Sequence, residues 1–258
     1  MRQPNVLVLD IETAPLVVKL WDLKVNGGYV SHTQMVRDRY IMAFGAKVLG
    51  SKKNIYFDQR GKGPLKDREL LLKLKPLLEW ADIVITYNGE SFDSRRINAR
   101  FQIHGIRPPS PYKHYDVMKL VKRVADHTSN TLDYVSTQVN KKYKKLHHAD
   151  FPGMSLWDQC ELENIRAWNS MKKYNIHDVL STEEAAINLL AWAPDNFPEF
   201  YPVSDRALDC GRCGWHGHMH PVKTKLNKHS EVAQYRCQRC GGFQLGKQVK
   251  HGSGRRKN

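Results

Sequence analysis

The sequence predicts an α/β fold, in which helices flank a mixed sheet, followed by a small second domain that is rich in cysteine. Three observations support this prediction: short apolar strands near the amino terminus, helices that alternate with strands after them, and two Cys-x-x-Cys pairs towards the other end. Successive strands followed by strand–helix units are typical of sheets that mix parallel and antiparallel neighbours. A chain of 258 residues is long enough for one sizeable domain and one small domain.

The periodicity of apolar residues predicts the individual elements. Short apolar runs bounded by turn residues predict strands at residues 5–11, 40–49, 54–57 and 82–86. Apolar residues at helical spacing predict helices at residues 65–80, 91–104, 115–124, 131–139 and 161–190, the last with a break near Tyr174. We therefore divide the chain into a sheet domain (1–193), a proline-rich linker (194–204), a cysteine-rich domain (205–246) and a basic tail without fixed structure (247–258).

Positive charge is concentrated near the carboxyl end of the chain. The formal net charge is +15, and residues 205–258 hold 12 Lys or Arg against 3 Asp or Glu. Such an excess favours nucleic acid as a partner, although solubility or an anionic membrane surface would also explain it. The apolar run at residues 6–9 is too short for a signal peptide, and no stretch is long enough to span a membrane. We therefore expect a cytoplasmic protein without a membrane partner.

Two carboxylates lie at the end of the first predicted strand. Asp10 and Glu12 are two residues apart, so their side chains project from the same face of the strand. Like charges this close are costly unless a cation lies between them, and hard ions such as Mg²⁺ or Mn²⁺ prefer oxygen ligands. Two solvated acids at a strand end are the alternative interpretation.

Two further acids are candidates for the same site. Asp93 opens the helix after the strand at 82–86, where it would also serve as a helix cap. Tyr174 and Asp178 are four residues apart, so a phenol and a carboxylate share one helical face. A half-buried tyrosine beside a surface aspartate is the simpler alternative for this pair.

Taken in order, these segments resemble the three motifs of the DEDD superfamily of 3′→5′ exonucleases, which have a ribonuclease H-like fold. The motifs are Leu9-Asp10-Ile11-Glu12-Thr13, Asn88-x-x-x-Phe92-Asp93 and Tyr174-x-x-x-Asp178. The tyrosine places the resemblance in the tyrosine-type branch, which includes proofreading domains of DNA polymerases. His177 directly precedes Asp178, which is not the spacing of the histidine-type branch, so we assign it to the helix surface.

The resemblance covers about residues 4 to 190 and implies a hydrolase that removes nucleotides from 3′ ends by a two-metal mechanism. Two Mg²⁺ or Mn²⁺ ions would be held by Asp10, Glu12, Asp93 and Asp178. Tyr174 would orient the attacking water or the scissile phosphate. DNA with single-stranded or frayed ends is favoured over RNA. An endonuclease or ribonuclease of the same fold and a non-catalytic nucleic-acid-binding module remain alternatives.

Several neighbouring residues are candidate substrate contacts. Asn88 lies at the family's position before Phe92-Asp93, and Arg95, Arg96 and Arg100 follow on the same helix, where they could contact phosphates or simply form a solvated face. Trp21 and Tyr29 are able to stack on a base, but we expect Trp21 to pack in the core. Asp116 is interpreted as a helix cap rather than a supporting acid of the site.

The four paired cysteines predict a second metal site. Cys210 and Cys213 are separated from Cys237 and Cys240 by 23 residues. Two such pairs form a tetrahedral site for one structural Zn²⁺, and the segment resembles a zinc ribbon. Too little core is available for this segment to fold alone, so the metal would supply folding free energy. Its charge favours nucleic acid as its partner, while a protein partner stays open.

Overall fold

The computed structural model describes residues 3–22, 28–144, 146, 150–194, 197–198, 200, 209–215, 217, 219–227 and 230–250. The chain divides into two compact units: Asn5–Ala185, and Ala186–Asn258 together with Met1–Pro4. The boundary between the units thus precedes residue 193, where the sequence predicts that the sheet domain ends.

A five-stranded mixed sheet forms the centre of the first unit. Along the chain its strands are β1 (Val6–Thr13), β4 (Ile41–Val48), β5 (Asn54–Asp58), β6 (Ile83–Thr86) and β7 (Lys113–Asp116). The segment of chain that connects β1 to β4 contains β2 (Val17–Val18) and β3 (Met35–Arg37), which form a separate two-stranded sheet. In space the order is β5-β4-β1-β6-β7. Strand β1 is antiparallel to β4 and parallel to β6. This arrangement confirms the predicted ribonuclease H-like α/β fold.

Six α-helices lie in the described part of the chain: α1 (Arg68–Trp80), α2 (Asp93–Ile103), α3 (Val117–Val124), α4 (Leu132–Val139), α5 (Ser155–Glu161) and α6 (Ile165–Leu189). Short 3-10 helices occur at His32–Gln34 and Leu190–Trp192. Helix α6 runs through Tyr174, so the predicted break is wrong. Tyr115 and Asp116 lie in β7, because they pair with the end of β6, and not in the predicted helix. None of these helices is long and apolar enough to cross a bilayer.

The two faces of the sheet pack against different helices. Leu7, Leu9 and Ile11 of β1 belong to a buried cluster that includes residues of α1 and α2. Met42 and Ala43 of β4 belong to a second cluster, which includes Trp168 and Met171 of α6. Because side chains alternate along a strand, Asp10 and Glu12 of β1 point away from the α1–α2 cluster. The fold thus leaves the two acids on the other face of the sheet.

The second unit contains an antiparallel sheet of three strands. These are β8 (Met219–Asn227), β9 (Ser230–Cys237) and β10 (Phe243–Lys250), with β9 in the middle. Strand β10 continues past residue 247, where the sequence predicts that the unstructured tail begins. Most of the predicted linker and the rest of the predicted tail lie outside the described residues.

Candidate active site

The end of β1 carries two candidate metal ligands in different surroundings. Asp10 is half-buried, and the side chain of Glu12 is buried at 7% exposure. Pairing between β1 and β6 ends at Val8 with Ile85, so β6 does not pair with the carboxyl end of β1 on that side. The unpaired side of β1 beyond Val8 leaves space for side chains from other elements.

Asp93 fills part of that space. It is the first residue of α2, and its Oδ1 accepts a hydrogen bond of 3.1 Å from the backbone N–H of Ile11. Its carboxylate therefore lies against the backbone between Asp10 and Glu12. Burial raises the pKa of Asp93 to about 7, against the lowering effect of backbone hydrogen bonds. A nearby cation would favour the charged form of such a carboxylate.

A constrained turn places Asp93 at this point. Asn88 has a φ of 64°, and a Cβ on Gly89 would lie 2.3 Å from Oγ1 of Thr86. Both oxygens of Asp116 bind the turn: Oδ1 accepts from the N–H of Asn88 at 2.9 Å and Oδ2 from that of Glu90 at 3.2 Å. Asp116 also caps α3, as predicted. It therefore supports the turn as well, a role that the sequence interpretation did not assign to it.

Helix α6 reaches the same strand end through Asn175. Its Nδ2 donates to Oδ2 of Asp10 at 2.6 Å and to the Asp10 carbonyl at 3.3 Å. Asn175 is fully buried, and Asp178 lies one helical turn later at 4% exposure. Since residues three apart share a helical face, Asp178 faces the sheet as Asn175 does. The sequence motif assigns no role to Asn175, although this residue directly follows Tyr174.

Trp157 of α5 is a second residue of the site that no sequence motif indicates. Its indole Nε1 donates to Oε2 of Glu12 at 3.1 Å. Its ring meets the ring of Tyr174 edge-on, with 6.3 Å between the centroids. This contact links Glu12 of the first motif to the tyrosine of the third. A pattern search would not find it, because a lone tryptophan in a short helix carries no local signature.

The acids have the chemistry of a hard-cation site. Glu12, Asp93 and Asp178 are all less than 9% exposed, and buried carboxylates need hydrogen bonds or cations. Oxygen donors of this kind suit divalent ions such as Mg²⁺ and Mn²⁺.

The arginines of α2 differ in their surroundings. Arg95 is exposed, while the guanidinium of Arg96 lies 5.4 Å from the ring centroid of Phe92. Arg100 is buried and binds both carboxylate oxygens of Asp67, at 2.9 and 2.6 Å. Because its guanidinium already binds Asp67, Arg100 fastens α2 to the residue that precedes α1 and is not suited to the phosphate contact considered for it.

A cavity of about 300 Å³ is lined by residues next in sequence to two of the acids, Thr13 after Glu12 and Phe92 before Asp93. Trp157, which donates a hydrogen bond to Glu12, lines the cavity together with Arg96 and Arg39. The full lining consists of Thr13, Ala14, Pro15, Leu16, Arg39, Phe92, Arg96, Met154 and Trp157. Apolar walls with two guanidinium groups suit a base and its phosphates.

Three other candidates differ in their surroundings. His177 bonds the carbonyl of Lys144 and contacts the ring of Tyr143, in accordance with its assignment to the helix surface. Trp21 is 99% exposed and Tyr29 is 89% exposed. The expected core packing of Trp21 is therefore wrong, because its side chain belongs to neither apolar cluster.

The four cysteines converge in the second unit. Sγ of Cys210 lies 3.7 Å from Sγ of Cys240, and the same distance separates Cys213 from Cys237. Tetrahedral Zn²⁺ with Zn–S bonds of about 2.3 Å requires sulfur atoms about 3.8 Å apart. The hydrogen bond with Cys240 is the main cause that lowers the pKa of Cys210 to about 5, while burial raises that of Cys213 to about 11. The cluster fits a zinc ribbon.

Comparison with known proteins identifies the class. Residues 32–189 match the model of the RNase_H_2 family, described as RNase_H superfamily. Because this match covers more than half of the chain, the chain belongs to the RNase H superfamily. The matched part contains Asp93, Tyr174 and Asp178, and begins after Asp10 and Glu12. No curated protein matches the chain.

The fold is also similar to that of a family B DNA polymerase from the hyperthermophilic archaeon Pyrobaculum calidifontis. The TM-score is 0.54 and the sequence identity is 16%, over 74% of this chain and 25% of the polymerase. The match thus spans a quarter of the polymerase. This likeness shows the fold, while membership of the RNase H superfamily supports a nuclease, whose substrate is nucleic acid.

The close approach of α6 to β4 gives a first test of the site. Gly45 pairs with Asp10, and a Cβ at Gly45 would lie 2.4 Å from Oδ1 of Asn175. We expect Gly45→Ala to push Asn175 away from Asp10 and to destabilise the fold by about 1–3 kcal/mol. Urea unfolding of the variant measures this loss. A smaller loss in an Asn175→Ala background would locate the clash at the amide, whereas equal losses in both backgrounds would contradict it.

Proposed function

We propose that this chain is a metal-dependent 3′→5′ exonuclease that acts on DNA with single-stranded or frayed ends. The observation that carries the proposal is the meeting of three chain segments at the end of β1. Asp93 binds the backbone N–H of Ile11, and Asn175 binds Asp10, one turn before Asp178. These segments carry the three motifs in the order that the exonuclease resemblance requires.

Four carboxylates would hold two divalent ions in this arrangement: Asp10, Glu12, Asp93 and Asp178. Their combined formal charge of −4 would balance two dications. When bound, such ions activate a water and stabilise a leaving 3′-oxygen. Asn175 and Trp157 would fix the positions of the Asp10 and Glu12 carboxylates.

The proposed substrate follows from the basic residues near the site and from the resemblance to DNA polymerases. Asn88, Arg95 and Arg96 are the proposed substrate contacts, with Arg96 beside the cavity described above. The exonuclease branch that the motifs resemble includes proofreading domains of DNA polymerases, and the fold is similar to a DNA polymerase. These two likenesses favour DNA over RNA.

Digestion of end-labelled oligonucleotides tests the proposal. The full chain is incubated with DNA or RNA labelled at the 5′ or the 3′ end, with Mg²⁺ or Mn²⁺. We expect 5′-labelled DNA to give a ladder of shortening products, and 3′-labelled DNA to release its label as mononucleotide at once. Cleavage of circular single strands would instead indicate an endonuclease. Binding without any hydrolysis would indicate a non-catalytic module.

Tyr174→Phe tests the assigned role of the phenol. We expect this variant to lose on the order of tenfold to a hundredfold in kcat, because the hydroxyl would no longer orient water or phosphate. Isothermal titration with Mn²⁺ should give an unchanged metal affinity. Tyr134→Phe, which removes a phenol from α4, is the matched control. Wild-type turnover of Tyr174→Phe would remove the role.

We also propose that the cysteine cluster holds one structural Zn²⁺. The sulfur–sulfur distances of 3.7 Å support a tetrahedral thiolate site, and four thiolates saturate the zinc shell. A closed shell leaves no position for water, so this ion would serve folding and not hydrolysis.

A further inference from the structure

The sheet of the second unit has one face that is exposed over several adjacent residues. Arg236 in the middle strand lies opposite His220 and Phe243. Two residues earlier, Gln234 lies opposite Lys223 and Leu245. Because directly opposed residues point to the same side of a sheet, these residues share one face. We call His220, Lys223, Arg236, Phe243 and Leu245 the open face; all five are exposed.

The other face of the same sheet is occupied by the metal site. Met219 and Cys237 are buried in a cluster that also includes Tyr235. Gln244, opposite Tyr235, accepts a hydrogen bond of 3.1 Å from the N–H of Gly211. The fold of this unit therefore depends on the closed face. Nothing in that packing requires an aromatic ring at 243 or a guanidinium at 236.

The open face combines two chemistries. The guanidinium of Arg236 lies 5.7 Å from the centroid of the Phe243 ring, which is 42% exposed. Lys223 adds a second cation, and none of the five residues is acidic. An aromatic ring beside cations accepts an unstacked base on its face and the phosphates beside it, and this combination tolerates any sequence.

We propose that the open face binds single-stranded polynucleotide, at a site separate from the acids at the end of β1. Charge favours this occupant over an apolar protein surface, because residues 205–258 hold 12 basic residues against 3 acidic ones. Exposed stacking surface favours a single strand over a duplex, whose bases are already stacked. Such a site would hold substrate near the enzyme between successive cleavage events.

Fluorescence anisotropy with a labelled oligothymidylate tests the inference. The full chain carries Asp10→Ala in every case, so that the probe is not consumed. We expect Phe243→Ala to weaken binding about tenfold through lost stacking. Arg236→Gln should weaken binding and lower the slope of log Kd against log salt by about 0.7. Arg239→Gln, at an exposed position in the turn between Cys237 and Cys240, is the matched control and should change Kd less than twofold.

Unchanged affinity of Phe243→Ala overturns the inference, and so does equal weakening by Arg236→Gln and Arg239→Gln, which would indicate charge alone. Tighter binding of a duplex than of the single strand overturns it as well. Zinc content at the wild-type level ensures that each variant is folded. The cleavage assay on the unsubstituted chain is a separate experiment, so failure of the nuclease proposal and failure of this one are distinguishable.

Discussion

Asp10→Asn is expected to lower kcat by about a thousandfold or more, with Mg²⁺ and with Mn²⁺ alike. The substitution removes a charged group from the proposed metal site, and metal ions in such sites supply several kcal/mol of transition-state stabilisation. An amide oxygen can still accept the hydrogen bond that Asn175 now donates to Asp10, so the packing of α6 should persist. Initial rates on 5′-labelled single-stranded DNA measure the loss.

Asp126→Asn is the matched control for this prediction. Asp126 is exposed in the segment after α3, so its substitution should leave the rate unchanged. Thermal unfolding of both variants should stay close to that of the wild type. A fully active Asp10→Asn variant would refute the assignment of Asp10 as a metal ligand, whatever the cleavage polarity.

Loss of zinc is expected to unfold the sheet of the second unit. Structural Zn²⁺ contributes about 10–16 kcal/mol of apparent binding free energy in small zinc domains, more than a sheet of three strands gains from its own core. Cys237→Ser removes one ligand, and a zinc chelator removes the ion. Hydrogen exchange should then lose protection across Met219–Asn227 and Phe243–Lys250 and keep it in β1 and β4.

Cys160→Ala is the control for this second prediction. Cys160 is buried in the first unit and is the one cysteine of the five that is not part of the cluster. Its loss should leave the zinc content at one ion per chain. Retained protection of β8–β10 in a zinc-free Cys237→Ser protein would mean that packing alone stabilises the sheet.

The fold could be predicted from sequence because its strands have strong local signals. Strand β1 is a run of Val and Leu, and its two acids follow from the alternation of side chains along a strand. Strand β7 was missed because residues 113–116 carry a single buried aromatic, Tyr115, and owe their strand conformation to pairing with β6. Tertiary context of this kind is absent from any local window.

The candidate site shows a similar limit. Its acids are predictable from their order and spacing in the sequence. Asn175 and Trp157, by contrast, belong to the site through contacts with Asp10 and Glu12, which precede them by 165 and 145 positions. Nothing local distinguishes them from an ordinary helical asparagine or tryptophan. Trp21 shows the converse: hydrophobicity favours burial, yet its side chain is exposed.

Among the polar contacts that hold helix α6 to the rest of the first unit, one set lies at Asn175 and another at residues 181–184. Asn175 binds Asp10, and further on the carbonyl of Ser181 accepts from Asn140 at 2.9 Å while Glu184 accepts from the N–H of Tyr143 at 2.7 Å. One residue added between these points would rotate one set of contacts by about 100° relative to the other. Substitution of exposed residues such as Lys172 and Lys173 leaves this spacing intact, whereas an insertion between the two sets of contacts would break one of them.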